Sequence, residues 1–163
     1  MSFILRRAPA PSRRTKDILL LRMKGAFICS TDVSSRHLRE DRRHIRDDDM
    51  RRLKEELDLP LNFEMAATAE MLQLCTQVQP HGCCIVPENR NERTTEGGLN
   101  VAGQHNFIAP FVRELTDAGI RTSLFVDPEA EHIEAAKSAG APVIEIHTGA
   151  YYEATAATDP KRI

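Results

Sequence analysis

The chain has 163 residues, 41% of them hydrophobic and 28% charged, with 4 Cys and no Trp. That composition excludes global disorder, and the length fits one domain, or most of one, able to bury roughly 68–70% of its unfolded surface. No apolar run nears the roughly 20 residues of a membrane helix, and so few cysteines do not make a secreted disulfide framework, so the expected setting is reducing and cytoplasmic.

The net charge of −2 hides an asymmetry. Residues 1–54 hold 15 basic and 7 acidic side chains (+8), and residues 55–163 hold 7 and 17 (−10). A basic block points to nucleic acid, a membrane surface, a targeting segment or an anionic small ligand.

In chain order, residues 1–35 read as an atypical basic leader, poorly ordered, with Pro9 and Pro11 near its start and Asp17 its sole acid up to residue 31. An Arg-rich, acid-poor start also has the flavour of a mitochondrial transit peptide, but the amphipathic period is missing. The folded domain is expected over 36–163. There Asp47–Leu57 opens with acids, as a helix N-terminus favours, and spaces Met50, Leu53 and Leu57 helically. Leu61–Met65 reads as a strand. Thr68 can cap a helix with Met71, Cys75 and Val78 on its inner stripe. Gly82–Val86 is a strand stopped by Pro87, and a loop follows from Glu88 to Gly98. The next helix carries Phe107, Phe111 and Leu115 and stops at Gly119. Thr122–Val126 is a strand, Asp127-Pro128 reads as an N-cap with proline at the first helical position, and that helix ends at Gly140. Val143–His147 is the last strand.

Strands alternating with helices imply a parallel sheet with right-handed crossovers. Periodicity leaves two architectures open, an open doubly wound sheet and a (β/α)8 barrel. No G-x-G-x-x-G follows a strand, so dinucleotide binding has no support.

In either architecture the active site lies at the C-terminal ends of the strands. Asn62 and Glu64 share one strand face, as do Glu145 and His147. A carboxylate within an apolar strand is costly unless it finds a partner or a use as a base; an arginine at the strand ends would be an ordinary structural partner. The densest polar cluster is HLREDRRH (37–44). Its arginine forks suit phosphate or carboxylate and its histidines suit proton transfer, whereas the bland alternative is a solvated basic turn. Interleaved Glu40 and Asp41, and the lack of aromatics for stacking, weaken nucleic-acid binding. The loop TTEGGLN (94–100) lacks the ending of a P-loop, yet its hydroxyls and backbone N–H groups suit a phosphate, and its glycines suit a mobile lid or an ordinary turn. Cys83 and Cys84 point to opposite strand faces and no C-x-x-C pair exists, so no metal site is expected. His81, His105 and His132 read as incidental.

The strings HLREDRRHI (37–45), NFEMA (62–66), CCIVPE (83–88), ERTTEGGLNVAGQ (92–104), SLFVD (123–127) and IEIHTGAY (144–151) together resemble the pyridoxine 5′-phosphate synthase family, in order and with family-like spacing. The resemblance implies an α/β fold, an incomplete (β/α)8 TIM barrel with about strands two to six of eight, and assembly as a homo-octamer. It implies condensation of 1-deoxy-D-xylulose 5-phosphate with 3-amino-2-oxopropyl phosphate to pyridoxine 5′-phosphate and inorganic phosphate, with no cofactor and no metal, and with neither nucleic acid nor membrane as partner. By the same resemblance His37 and Glu64 match proton acceptors, Glu145 matches a carboxylate that stabilises the transition state, and Arg39, His44 and Thr94 match groups holding the deoxyxylulose phosphate. Two parts of the family pattern have no counterpart here: an opening Asn-x-Asp-His strand, and two late strands with a histidine proton donor and glycine-rich phosphate loops. A complete barrel takes about 250 residues, so a truncated, catalytically inactive fragment of the family is the alternative expectation.

Overall fold

The computed structural model describes residues 29–30, 33–87 and 97–149. Six strands form one sheet in chain order: β1 (Cys29–Ser30), β2 (Val33–His37), β3 (Leu61–Met65), β4 (Gly82–Ile85), β5 (Arg121–Val126) and β6 (Val143–Ile146). The pairs from β2 to β6 are all parallel, while β1 runs antiparallel along β2. Four helices fill the crossovers: α1 (Asp47–Glu56), α2 (Ala69–Val78), α3 (His105–Asp117) and α4 (Ala130–Ser138). β2 begins inside the stretch read from sequence as a basic leader; the rest of that stretch, apart from β1, lies outside the described residues.

The strand order decides between the two architectures. A doubly wound sheet reverses direction at a switch point and places helices on both faces. Here each parallel strand is followed by its sequence neighbour, so right-handed crossovers carry every helix to the same side. The helices accordingly pack in succession, α1 on α2, α2 on α3 and α3 on α4. The described residues therefore form part of a (β/α)8-type barrel wall.

Between that helical layer and the sheet lies the core. Leu61, Phe63 and Met65 on β3, Cys83 and Ile85 on β4, and Leu124 and Val126 on β5 meet Met50, Leu53, Met71, Leu74, Cys75, Ile108, Val112 and Leu115. Local chemistry sets the helix ends. Asp49 accepts the Arg46 N–H at 3.0 Å at the start of α1, and Thr68 Oγ1 accepts the Met71 N–H at 3.3 Å at the start of α2. Gly119 follows α3 with φ +78°, a left-handed position that closes the helix at no steric cost.

Two local expectations are corrected. Phe107 is 50% exposed. It sits in the first turn of α3, outside the buried stripe of Ile108, Phe111, Val112 and Leu115, and leans on Phe111 with ring centroids 5.1 Å apart. The N-cap of α4 is Glu129 rather than Asp127, because the Asp127 carboxylate is engaged by groups outside the helix. Among the described residues, no helix is long and apolar enough to cross a membrane.

Candidate active site

Side chains alternate across a strand, and parallel partners share a face. On β3 the odd positions enter the core, which turns Asn62 and Glu64 to the side away from the helices. The register carries that face across the sheet: His37 lies opposite Glu64, Glu64 opposite Cys84, Cys84 opposite Ser123, and Phe125 opposite Glu145. His37, Glu64 and Glu145 thus share the concave side, with Glu145 one layer further along the strands. This is the inner wall of the barrel, where the C-terminal strand ends carry chemistry.

Each carboxylate is held by a serine from the neighbouring strand. Ser35 Oγ donates to Glu64 Oε1, and Asn62 Nδ2 donates to Ser35 Oγ at 3.0 Å. Ser123 Oγ donates to Glu145 Oε1 at 2.7 Å. The ordinary structural expectation was an arginine; the donors are neutral hydroxyls, which fix the carboxylates without quenching their charge. Cys84 lies between the two. Burial, together with the nearby Glu145 and Glu64, pushes its thiol far above the usual range, so it acts as a packed neutral group rather than a nucleophile. Cys83 faces the other way, into the helical layer against Cys75, where the neighbouring thiol and burial likewise raise it. A groove of about 240 Å³ opens at the N-terminal ends of the strands, walled by Pro60, Asn62, Gly82, Arg121, Val143 and Glu145, at the end of the sheet opposite to His37 and Glu64.

The cluster after β2 is partly self-neutralised. Asp41 accepts from Arg43 Nε at 2.8 Å and lies 3.6 Å from Arg39 Nε; the Arg43 hydrogen bond is the chief cause that brings its carboxyl down to about 2. Arg42, at φ +51°, donates to Asp47 at 2.8 Å and to Glu70, tying the starts of α1 and α2 together. Arg39 and His44 stand in this loop beyond the C-terminal end of β2, the half-buried arginine close to the sheet and the histidine exposed. Thr94 lies outside the described residues.

The three histidines read as incidental have structural contacts. His81 Nδ1 accepts the Leu61 N–H at 3.1 Å, His105 Nε2 meets Ser138 Oγ at 2.8 Å, and His132 lies 3.5 Å from Glu129. Among the described residues no three His, Cys, Asp or Glu side chains gather as a metal site. Sequence reasoning missed Ser35 and Ser123, whose only signal was a hydroxyl on the carboxylate-bearing face. It also missed the partnership of Asp127 with His147, whose Nδ1 lies 3.0 Å from Asp127 Oδ1.

Comparison with known proteins adds an independent line. Residues 23–163 match the family described as pyridoxal phosphate biosynthesis protein PdxJ. A pyridoxine 5′-phosphate synthase of Rhodospirillum rubrum is 57% identical over 133 residues, 82% of this chain and 53% of the relative. The synthase of a Bradyrhizobium strain is 55% identical over 148 residues, 91% of this chain and 55% of the relative. That of Coxiella burnetii is 54% identical over 134 residues, 82% and 55% of the two chains. The chain spans about half the length of the curated relatives it matches.

Proposed function

The chain belongs to the PdxJ family of pyridoxal phosphate biosynthesis proteins, and from this we propose that its concave face serves pyridoxine 5′-phosphate synthesis. The reaction is the condensation of 1-deoxy-D-xylulose 5-phosphate with 3-amino-2-oxopropyl phosphate, releasing inorganic phosphate and water. One observation carries the reading: His37, Glu64 and Glu145 share the inner wall of parallel strands, with both carboxylates anchored by serine hydroxyls.

Closing a pyridine ring requires imine formation, proton abstraction beside a carbonyl, and elimination. His37 and Glu64, partners in register, are the proton acceptors for these steps. Glu145 is the carboxylate that stabilises the transition state, by offering negative charge where positive charge develops. Arg39, His44 and Thr94 hold the deoxyxylulose phosphate, the guanidinium by a charge-assisted fork and the others by single hydrogen bonds. Holding both substrates in register supplies the proximity gain on which a two-substrate condensation depends. Assembly into a homo-octamer and a cytoplasmic location belong to the same proposal.

Purified chain incubated with both phosphorylated substrates is the test. Pyridoxine 5′-phosphate should form, and Glu64→Gln should cut its rate by roughly 10²-fold or more, as expected for loss of a general base, with an unchanged far-UV circular dichroism spectrum. Unfolding of the variant would return Glu64 to a structural role. No product from the unaltered chain would favour the second reading, a non-catalytic chain of the family.

A further inference from the structure

Asp127 follows β5 at the place where a helix N-cap is expected, yet it caps nothing. Its two carboxylate oxygens go to two different segments: Oδ1 to His147 Nδ1 at 3.0 Å, and Oδ2 to the Gly98 backbone N–H at 2.9 Å. Further backbone bonds flank both contacts, Leu99 N–H to Phe125 O at 2.7 Å and His147 N–H to Val126 O at 2.8 Å. Gly98 comes so close that a Cβ there would lie 2.3 Å from the Asp127 nitrogen. His147 stands edge-on to Phe125 with ring centroids 5.5 Å apart, and Phe125 is the register partner of Glu145. The pair therefore lies one layer beyond Glu145 on the concave wall, at the rim.

We propose that Asp127 is a positioning residue of this rim, joining the loop at Gly98 to the end of β6 and committing the Nδ1–H of His147, so that Nε2 is the ring atom left for a ligand. A carboxylate only accepts, so an imidazole bonded to it through Nδ1 keeps its proton there. Gly98 needs the same carboxylate, and its lack of a side chain is what permits the approach. The inference rests on the proposed function for the identity of the ligand, a phosphorylated substrate. The bridge itself is a property of the chain.

The test is accordingly split. In the unaltered protein, at mildly alkaline pH where imidazoles are neutral, ¹⁵N NMR should show His147 mainly as the Nδ1–H tautomer; a predominant Nε2–H form overturns the proposal. Asp127→Ala should release that preference and speed exchange of the Gly98 amide by about tenfold or more, the equivalent of one charge-assisted hydrogen bond. Should that variant not fold, Asp127→Asn serves. Its single carbonyl oxygen cannot serve both partners as the carboxylate does, so the tautomer preference or the Gly98 protection must fall. Both staying unchanged overturns the bridge. In turnover, Asp127→Asn should raise KM for the phosphorylated substrates several-fold more than it lowers kcat, because Glu64 and Glu145 are untouched. A loss confined to kcat would overturn the positioning role. The NMR and exchange readouts need no catalysis, so absence of product from the unaltered chain counts against the proposed function alone.

Discussion

Ser34 and Ser35 are adjacent and chemically identical, yet their strand gives them opposite fates. Ser35 faces the concave wall and donates to Glu64. Ser34 turns toward the helices, is 5% exposed, and its hydroxyl finds no partner among the described residues. A buried hydroxyl without a partner forfeits the hydrogen bonds it had in water. Ser34→Ala should therefore stabilise the protein by about 1 kcal/mol, read as a higher urea midpoint at unchanged slope; a lower midpoint would mean that the hydroxyl is satisfied. Glu64 and Glu145 were legible in the sequence because a carboxylate in an apolar strand is conspicuous. Their serine partners were not, because a serine in a strand carries no mark of what it will meet across the sheet. The polar residues of β2 carry no such mark either: the use of Ser35 becomes visible only once Glu64 is placed beside it.

At the scale of elements, the start of β4 holds the start of β3 through His81. Its Nδ1 accepts the Leu61 N–H, and Lys54 Nζ lies 3.4 Å from the same nitrogen. Burial first, and then the lysine charge, lower the imidazole pKa below 6.5. The folded state thus favours the neutral ring. Its contribution to stability is complete above the unfolded value near 6.5 and is lost as the pH falls through the lowered folded value, because the unfolded chain takes up the proton first. Unfolding midpoints should fall on acidification from neutral pH, and His81→Asn, whose side-chain oxygen accepts at any pH, should flatten that part of the profile. An equally steep profile in the variant would assign the effect to other groups. The helices and strands themselves were largely legible, since apolar periodicity and the caps at Thr68 and Gly119 are local signals. Phe107 and Asp127 misled because helix starts depend on tertiary contacts: one residue's phase on α3 is set by where the loop delivers the helix, and a carboxylate able to cap goes to stronger partners if they are near.

For the molecule as a whole, burial is graded across the sheet. β3 and β4 alternate or run fully buried, whereas no residue of β6 is fully buried and Ile146 is 39% exposed. Amide hydrogen exchange should follow that gradient, slowest in β3, β4 and the inner part of β5 and faster in β6; equal protection in β6 and β4 would mean that further contacts cover β6 in solution. Fold class was legible as alternating strands and helices. Periodicity left wall and doubly wound sheet open, because strand order is a long-range property that no local pattern encodes, and it was the family resemblance that carried the incomplete (β/α)8 barrel which the strand order bears out.

Strand order that repeats chain order also bears on synthesis. Every parallel strand pairs with the one translated just before it, and each helix packs on its predecessor. Among the described strands, a nascent chain leaving the ribosome does not have to wait for a distant partner to reach back past finished structure. Contacts of this kind close short loops and lower the entropic barrier to each addition, so the wall can be laid course by course as translation proceeds.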